Sequence, residues 1–500
     1  MILRPQLQDI KIIGLYAGRI ILGLGLLLLI PLAVAWGFAE QAALFDFVIS
    51  SSFCLALGYF LIIICFTHRE LNWWHGVVVV SLSWLLAMFL GALPLYLSKH
   101  WLSYLDACFD AMSGFSTTGL TLVQDLDHLS YAYNMWRHLM QYIGGQGIMT
   151  VALTFLIRGA ASALPIYVGE AREEKILPNV VHTARFIWLV SLVYLLMGTL
   201  ALSFNAYFSG MPKLKSLLHG LWVAMASWST GGFAPQSQSI LYYHNFTFEL
   251  ITITLILLGS LNFSLHYTLW TGKRKEIFRN IETKSFFISI LLLFSLAAFG
   301  LAISGAYPGA ISLFRKGFYQ VISAHTTTGF MTVYTQQFAQ HWTPLSLLSV
   351  ILCMAIGAGA CSSAGGIKVL RVGMIMRALL QDIKRTMLPR SAVVIDKIHH
   401  IKDVLLNEKL IRQAALIMLA YIFLYFLGTL VGVYFGYPVH LAMFESVSAG
   451  ANVGLSCGIT QSSMPAALKL TYIFQMWAGR LEFISVFALL GTIFALVKGR

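Results

Sequence analysis

The sequence predicts an all-α polytopic membrane protein in which two N-terminal helices precede four membrane–pore–membrane repeats around one pseudo-four-fold pore. Three observations predict it. Of the 500 residues, 58% are hydrophobic and only 11% are charged, whereas a soluble domain carries about 25% charged residues. Mean hydropathy is +0.78, and apolar runs such as Ile20 to Trp36, Phe286 to Ile303 and Leu416 to Val433 approach the roughly 20 residues that cross a bilayer core. Finally, one Gly-centred motif recurs four times between long apolar segments.

The two leading helices fall at about 11–36 and 43–66, within an N-terminal region 1–66. The stretch from Ile20 lacks a small-residue cleavage site after a short apolar core, so it reads as a retained helix and not a signal peptide. The repeats span 72–157, 183–270, 283–376 and 409–497. Each is expected to run as a long apolar helix, a short amphipathic segment, a Gly/Thr-rich stretch and a second long apolar helix. The short segments, near 103–116, 216–229, 313–326 and 440–450, are too short to cross and are expected to be re-entrant. Irregular backbone at membrane depth survives only where protein or water surrounds it.

The chain has 33 Lys and Arg against 20 Asp and Glu, a formal charge of +13. Most of the 33 fall in segments on one side of this topology: around Arg4, Lys11 and Arg69, between Arg158 and Arg185, from Lys273 to Lys284, from Lys368 to Arg412, and at Lys498 and Arg500. That is the positive-inside pattern, which puts these loops and both termini in the cytoplasm. The charge is a topology signal, and nucleic acid is excluded as a partner. The six cysteines form no C-x-x-C pair, so neither a metal site nor a disulfide framework is expected. The spans hold no H-E-x-x-H, phosphate loop or His/Asp/Glu constellation. No enzyme is expected, and no cofactor.

The repeat itself carries the chemistry. Phe109–Thr121, Trp222–Ala234, Tyr319–Met331 and Phe444–Ser456 align on Gly119, Gly232, Gly329 and Gly454. Ten residues before each glycine stands an aromatic (Phe109, Trp222, Tyr319, Phe444), and six before it a small residue (Ser113, Ala226, Ser323, Ser448). Rings of backbone carbonyls can replace the hydration shell of a cation, and turning successive carbonyls toward one axis needs conformations that glycine accepts cheaply. Thr117, Thr118, Thr230, Thr327 and Thr328 can hold such loops by hydrogen bonds, and Asn452 and Val453 take the matching positions in the fourth. The preceding short helix points its partly negative end at the ion.

Two further features bear on passage. Gly357, Gly359, Ser362, Ser363, Gly365 and Gly366, followed by Lys368, form a poor helix in mid-span of the third repeat, which reads either as a flexible barrier or as a tight-packing helix surface. Arg480 lies inside the apolar stretch from Leu470 to Val497, where an ionisable group is a functional hypothesis by default. It reads as an electrostatic and steric gate acting with that segment, or as a structural partner of Glu482, Asp110 or Glu445. Asp125 and Asp127 follow the first loop and either attract cations or are solvated surface. His325 is expected to be a hydrogen-bonded packing residue. The basic segment from Arg371 to Arg412 is either a docking surface or a topology anchor.

The four motifs, together with Gln141-Tyr-Ile-Gly-Gly-Gln-Gly147, Gly359-Ala-Cys-Ser-Ser-Ala-Gly-Gly-Ile-Lys368 and Gly479-Arg-Leu-Glu482, resemble the Trk/Ktr/HKT superfamily of potassium transporters over essentially the whole chain. Its bacterial TrkH/TrkG-like branch, with two extra N-terminal helices, is the nearest in pattern. The resemblance implies potassium uptake across a bacterial inner membrane through a filter with glycine at all four positions, closed by an intramembrane loop and an arginine. It also implies a homodimer with one pore per subunit, and a cytosolic TrkA-like nucleotide-binding subunit that regulates it. One departure is Thr230-Gly-Gly-Phe233, where the family often has Asn-Ala-Gly-Phe; the register there can slip by one residue, so that Gly231 shares the role given to Gly232. A sodium-selective or unselective monovalent cation pore is the alternative, and flux is either passive or coupled to protons or sodium as a symport.

Overall fold

The computed structural model describes residues 5–148, 150, 164, 167–170, 179–389 and 397–499. The last stretch of the first repeat, 151–157, and the basic residues Arg158, Arg172, Lys175 and Arg390 lie outside the described residues.

Among the described residues six helices are long and apolar enough to cross a membrane: Leu7–Gly37, Gln41–Ile64, Trp73–Leu97, Val180–Phe208, Ile281–Ser304 and Glu408–Tyr434. The last four of these open the four repeats. Their starts are encoded locally, since Asn72, Asn179, Asn280 and Asn407 each accept a backbone N–H of the first turn and so satisfy a donor that the helix leaves orphaned. Large apolar side chains on these helices face outward, among them Phe53, Phe60, Leu291, Phe299, Phe423 and Phe426. In water such a surface would aggregate; in a bilayer it faces its own solvent. The protein is a multi-pass membrane protein.

The first two helices are fastened to the first repeat. Glu40 accepts the N–H groups of Tyr131 (2.8 Å) and Ala132 (3.0 Å), capping the helix Tyr131–Gln146 from outside, and Asp9 bonds His75 at 2.9 Å.

The short segments form helices at Tyr104–Phe115, Lys213–Trp228 and Val439–Gly450. In the third repeat the equivalent helix starts with a wide turn at Leu313–Phe318 and continues as Tyr319–His325. Each of these pore helices packs against the two long helices of its own repeat and the second long helix of the repeat before it: the first pore helix against Ala466–Arg480, the second against Tyr131–Gln146, the third against Phe246–Ser260 and the fourth against Pro344–Ile356. The order is cyclic and closes on itself. His325 ends the third pore helix and bonds Ser289 Oγ at 2.7 Å, a packing role as expected.

The second long helices depart from expectation. From sequence a break is expected only in the third repeat, yet all four break at the same level. The first breaks at Gly147, with φ +91°. The second bends by 100° between Phe246–Ser260 and Phe263–Trp270, and the fourth by 116° between Ala466–Arg480 and Ile484–Lys498. The third opens into the loop between Pro344–Ile356 and Val369–Met387. The causes are local. Asn262 starts a new helix by accepting Ser264 N–H at 2.8 Å, and Glu482 and Phe483 both take positive φ, which an α-helix cannot continue through. An antiparallel hairpin, Lys397–His400 with Lys402–Leu405, interrupts the otherwise helical chain inside the basic segment.

Above three of these breaks a second-helix glycine touches the end of a pore helix. A Cβ on Gly144, Gly259 or Gly479 would overlap the carbonyl oxygen of Phe115, Trp228 or Gly450 respectively. Replacing Gly144 by Ala is expected to cost about 1–3 kcal/mol through overpacking. The reference is Gly491→Ala, where nothing lies within 4 Å of the added carbon. Thermal unfolding in detergent should show a lower melting temperature for Gly144→Ala and an unchanged or slightly higher one for Gly491→Ala.

Candidate cation pore

Each pore helix ends in the same way. The residue two before the aligned glycine takes the left-handed conformation: Thr117 (φ +57°), Thr230 (+49°), Thr327 (+55°) and Asn452 (+56°). Its N–H returns to the carbonyl three residues back, and the next N–H to the carbonyl five back: Thr118 to Ser113 at 2.8 Å, Gly231 to Ala226 at 2.8 Å, Thr328 to Ser323 at 2.9 Å, Val453 to Ser448 at 2.9 Å. This is a Schellman end, which normally takes glycine at the left-handed residue. A β-branched residue there costs on the order of 1–3 kcal/mol, so the three threonines need the surrounding bonds to hold, while Asn452 takes the conformation more readily.

The aligned glycines follow, again with positive φ: Gly119 +91°, Gly232 +78°, Gly329 +82°, Gly454 +94°. A Cβ on Gly119 would overlap the carbonyl oxygen of Gly231, one on Gly232 that of Thr328, one on Gly329 that of Val453, and one on Gly454 that of Thr118. Each loop thus presses against the next in the cycle, and the fourth against the first. The four loops converge on one axis. The second register is also fixed: Gly232 has the glycine geometry of the other three, while Gly231 occupies the place of Thr118, Thr328 and Val453. All four glycines line a single open cavity of about 190 Å³, whose rim carries hydroxyls of Thr121, Ser237, Ser239, Ser456 and Thr460.

Directly below, the segment Gly357–Lys368 crosses as non-helical chain. Gly357, Gly366 and Lys368 have positive φ (+70°, +76°, +83°). Gly365 N–H donates to Thr327 Oγ1 at 2.7 Å, and Thr230 Oγ1 donates to Ser363 Oγ at 3.2 Å, so the segment hangs from the two left-handed threonines of loops two and three. Ser363 Oγ also reaches Gly259 O at 2.8 Å. Gly359 N–H donates to Ser260 O at 3.1 Å, and Ser362 Oγ to Gly359 O at 2.7 Å. Lys368 Nζ turns back to Ala364 O.

Arg480 stands at the break of the fourth second helix. Its guanidinium donates to Ser363 O at 2.6 Å and to Gly144 O at 2.7 Å, bridging the segment to the first repeat. The carboxylates that sequence offered as its structural partners are engaged elsewhere: Glu482 with Arg371, Asp110 with Arg137 at 3.8 Å, Glu445 with its own loop. A pocket with room for about one water (~30 Å³), lined by Gly147, Ser362, Gly365, Lys368 and Arg480, lies here.

A family model for a cation transport protein, TrkH, matches residues 43–493. The chain belongs to the TrkH family. It is 34% identical to an uncharacterized cation transporter of Methanocaldococcus jannaschii, over 99% of this chain and 98% of that one. It is 29% identical to the Trk system potassium uptake protein TrkH of Escherichia coli K12, over 84% and 85% of the two chains. The fold is that of the crystal structure of the potassium transporter TrkH from Vibrio parahaemolyticus, with TM-score 0.82, 24% identity, and coverage of 97% and 99%.

In this TrkH-family chain several positioning residues escape a reading by motif. The residue after each pore-helix aromatic is Asp110, Val223, Gln320 or Glu445, and the three polar ones catch the strand that leaves the loop. Asp110 accepts Leu122 N–H (2.6 Å) and Thr121 Oγ1 (2.7 Å), Gln320 donates to Thr332 Oγ1 (2.9 Å), and Glu445 accepts from Cys457 N–H (2.9 Å), Ile459 N–H (3.2 Å) and Thr460 Oγ1 (2.8 Å). At Val223 the strap is supplied from outside: Gln141 holds Phe233 N–H at 3.0 Å and Gly231 O, and Arg137 lies 4.1 Å over the Phe233 ring. Asn452 Nδ2 ties loop four to Thr118 Oγ1 at 3.1 Å. The repeated offset was the available signal; the side-chain partners were not. Of the two outer acids, Asp127 binds Ser237 N–H at 2.8 Å and joins loop ends, while Asp125 is exposed and hydrogen-bonded by His128, which holds its carboxyl below the usual range.

Glu445 is fully buried, so its removal leaves several donors unpaired at about 1–3 kcal/mol each. Glu445→Ala is expected to speed amide hydrogen exchange at 457–460 by at least tenfold and to leave 122–123 unchanged, as read by mass spectrometry.

Proposed function

We propose that this chain carries potassium across the membrane through one pore formed by the four Gly-centred loops. The closed cycle in which each glycine packs on the next loop's carbonyl carries this reading. A ring of backbone oxygens exchanges for the hydration water of the ion, and four pore helices direct their partly negative C-terminal ends at it. The names of relatives as Trk system potassium uptake proteins support potassium as the ion. Glycine fits where any Cβ would strike the neighbouring loop, so the filter comprises Thr117, Thr118 and Gly119, Thr230, Gly231 and Gly232, Thr327, Thr328 and Gly329, and Asn452, Val453 and Gly454.

Beneath it, Gly357–Lys368 and Arg480 form the gate. The segment lies across the path, and the guanidinium adds a fixed positive charge that an ion leaving the filter must pass at low dielectric. The bonds of Arg480 to Ser363 O and Gly144 O hold the barrier shut. Opening requires the segment to leave the hydroxyls of Thr230 and Thr327. The basic segments, including Lys273 to Lys284 and Lys397 to Arg412, support a cytoplasmic placement of that face and of both termini, in a bacterial inner membrane. A homodimer regulated by a cytosolic TrkA-like subunit is the assembly this reading implies.

The first test is growth of a potassium-uptake-deficient bacterium on low potassium, which the chain should restore. Gly329→Ser should lower the potassium-to-sodium preference measured in proteoliposomes, and an unchanged preference would remove Gly329 from the filter. Arg480→Ala should raise rubidium flux; lowering the barrier by only ~1.4 kcal/mol speeds passage about tenfold. Flux at or below wild type counts against the barrier role. Comparing rates with and without an imposed proton gradient separates passive from coupled transport.

A further inference from the structure

Resting on the gate assigned above, we propose that Glu282 is a positioning residue that couples the hairpin Lys397–Leu405 to the gate segment. Glu282 lies in the first turn of Ile281–Ser304 and is only 5% exposed. One carboxylate oxygen accepts the N–H of Ala360, inside the segment. The other accepts Asn262 Nδ2 at 3.3 Å, and Asn262 caps the lower half of the broken helix in repeat two. The segment is stitched to the same break by Gly359 N–H to Ser260 O (3.1 Å) and Phe263 N–H to Cys361 O (3.2 Å). Glu282 therefore clamps the segment and the break together.

The other side of this carboxylate faces the hairpin. His400 Nδ1 is 3.9 Å from Glu282 Oε2 and 3.2 Å from Asn280 Oδ1, the oxygen that accepts Glu282 N–H as helix cap at 3.0 Å. His399 is held between Glu276 (2.8 Å) and Asp403 (2.6 Å), which fastens the hairpin to the chain just before Asn280. Ile398 is buried with Ala378 and Leu406, and Ala378 belongs to Val369–Met387, the helix that continues the gate segment. The hairpin thus grips the segment at two points, through Glu282 at its start and through Val369–Met387 at its end. A displacement of the hairpin must shift one, the other, or both. A buried carboxylate bonded to a backbone N–H resists such a shift strongly, because pulling the two apart at that depth leaves a charge-assisted hydrogen bond unmade with no water to replace it.

The test uses the full chain in proteoliposomes with two readouts: rubidium influx, and the modification rate of Cys361 by a membrane-impermeant thiol reagent from the cytoplasmic side. Cys361 lines the pocket below the filter, and Cys65→Ser removes the other partly exposed cysteine. Glu282→Ala should raise both readouts severalfold, His400→Ala should raise both less, and the double variant should match Glu282→Ala alone. If Glu282→Ala does not fold, Glu282→Gln is read in its place with the same expected direction. Additive effects, or wild-type values in both single variants while Arg480→Ala raises influx, would overturn the coupling and leave the gate standing. Faster Cys361 modification without any rise in influx, with Arg480→Ala also silent, keeps the clamp and overturns the gate.

Discussion

The packing of each aligned glycine against a carbonyl of the next loop is the constraint from which the remaining architecture follows. Four backbones can approach so closely only if no side chain stands between them, and only if each loop enters from the same direction. Both conditions are met upstream. A Schellman end turns each pore helix through one left-handed residue, so that the following glycine arrives at a fixed angle. The cost of a left-handed Thr at three of the four positions is borne by the bonds that Thr117, Thr230, Thr327 and Asn452 make. Two of these residues, Thr230 and Thr327, also hold the segment Gly357–Lys368 below, so the same strained positions that shape the loops hold what lies beneath them.

The strain explains why so many polar side chains are buried at membrane depth. Glu445, Asp110, Gln320 and Gln141 are fully buried, and unpaired groups there would be costly in a setting without water. Each is spent on backbone N–H groups, carbonyls or hydroxyls of a loop. The four repeats solve one problem with different chemistry: carboxylates in the first and fourth, an amide in the third, and in the second an amide borrowed from the preceding repeat because Val223 has nothing to offer. A sequence that had drifted this far among its repeats keeps the backbone path while exchanging the straps.

The repeat was legible because it is written in properties that survive such drift: an aromatic, a small residue and a glycine at fixed offsets, set between apolar runs. Pore-helix limits expected near 103–116 and 440–450 fall at Tyr104–Phe115 and Val439–Gly450 for that reason. The breaks of the second helices were legible only where glycine and serine cluster, as in Gly357–Gly366. Ser260-Leu-Asn262 and Arg480-Leu-Glu482 lie in strongly apolar surroundings, and hydropathy reads through them. What breaks the chain there is a cap at Asn262 and two positive φ values at Glu482 and Phe483, neither of which hydropathy registers. The register of the second loop shows the same limit. Adjacent glycines are interchangeable in sequence, and only the carbonyl of Thr328 against Gly232 separates them. Long-range partners such as Gln141 with Phe233, or Glu282 with Ala360, carry no local mark at all.

The breaks at one level also account for the place of Arg480. Where four helices open together, carbonyl oxygens face the space below the loops, among them Gly144 O, which also accepts Gly147 N–H at 3.0 Å, and Ser363 O of the Gly357–Lys368 segment. A guanidinium is suited to collect them, because its donors fan out in one plane and its charge does not depend on pH. The same oxygens, once freed of the guanidinium, would face the path of a cation. In the gate proposed above, movement of the arginine would remove a positive charge and leave these oxygens facing the path in one step. Under that proposal, closing would need no additional group, only the return of the arginine to Gly144 O and Ser363 O.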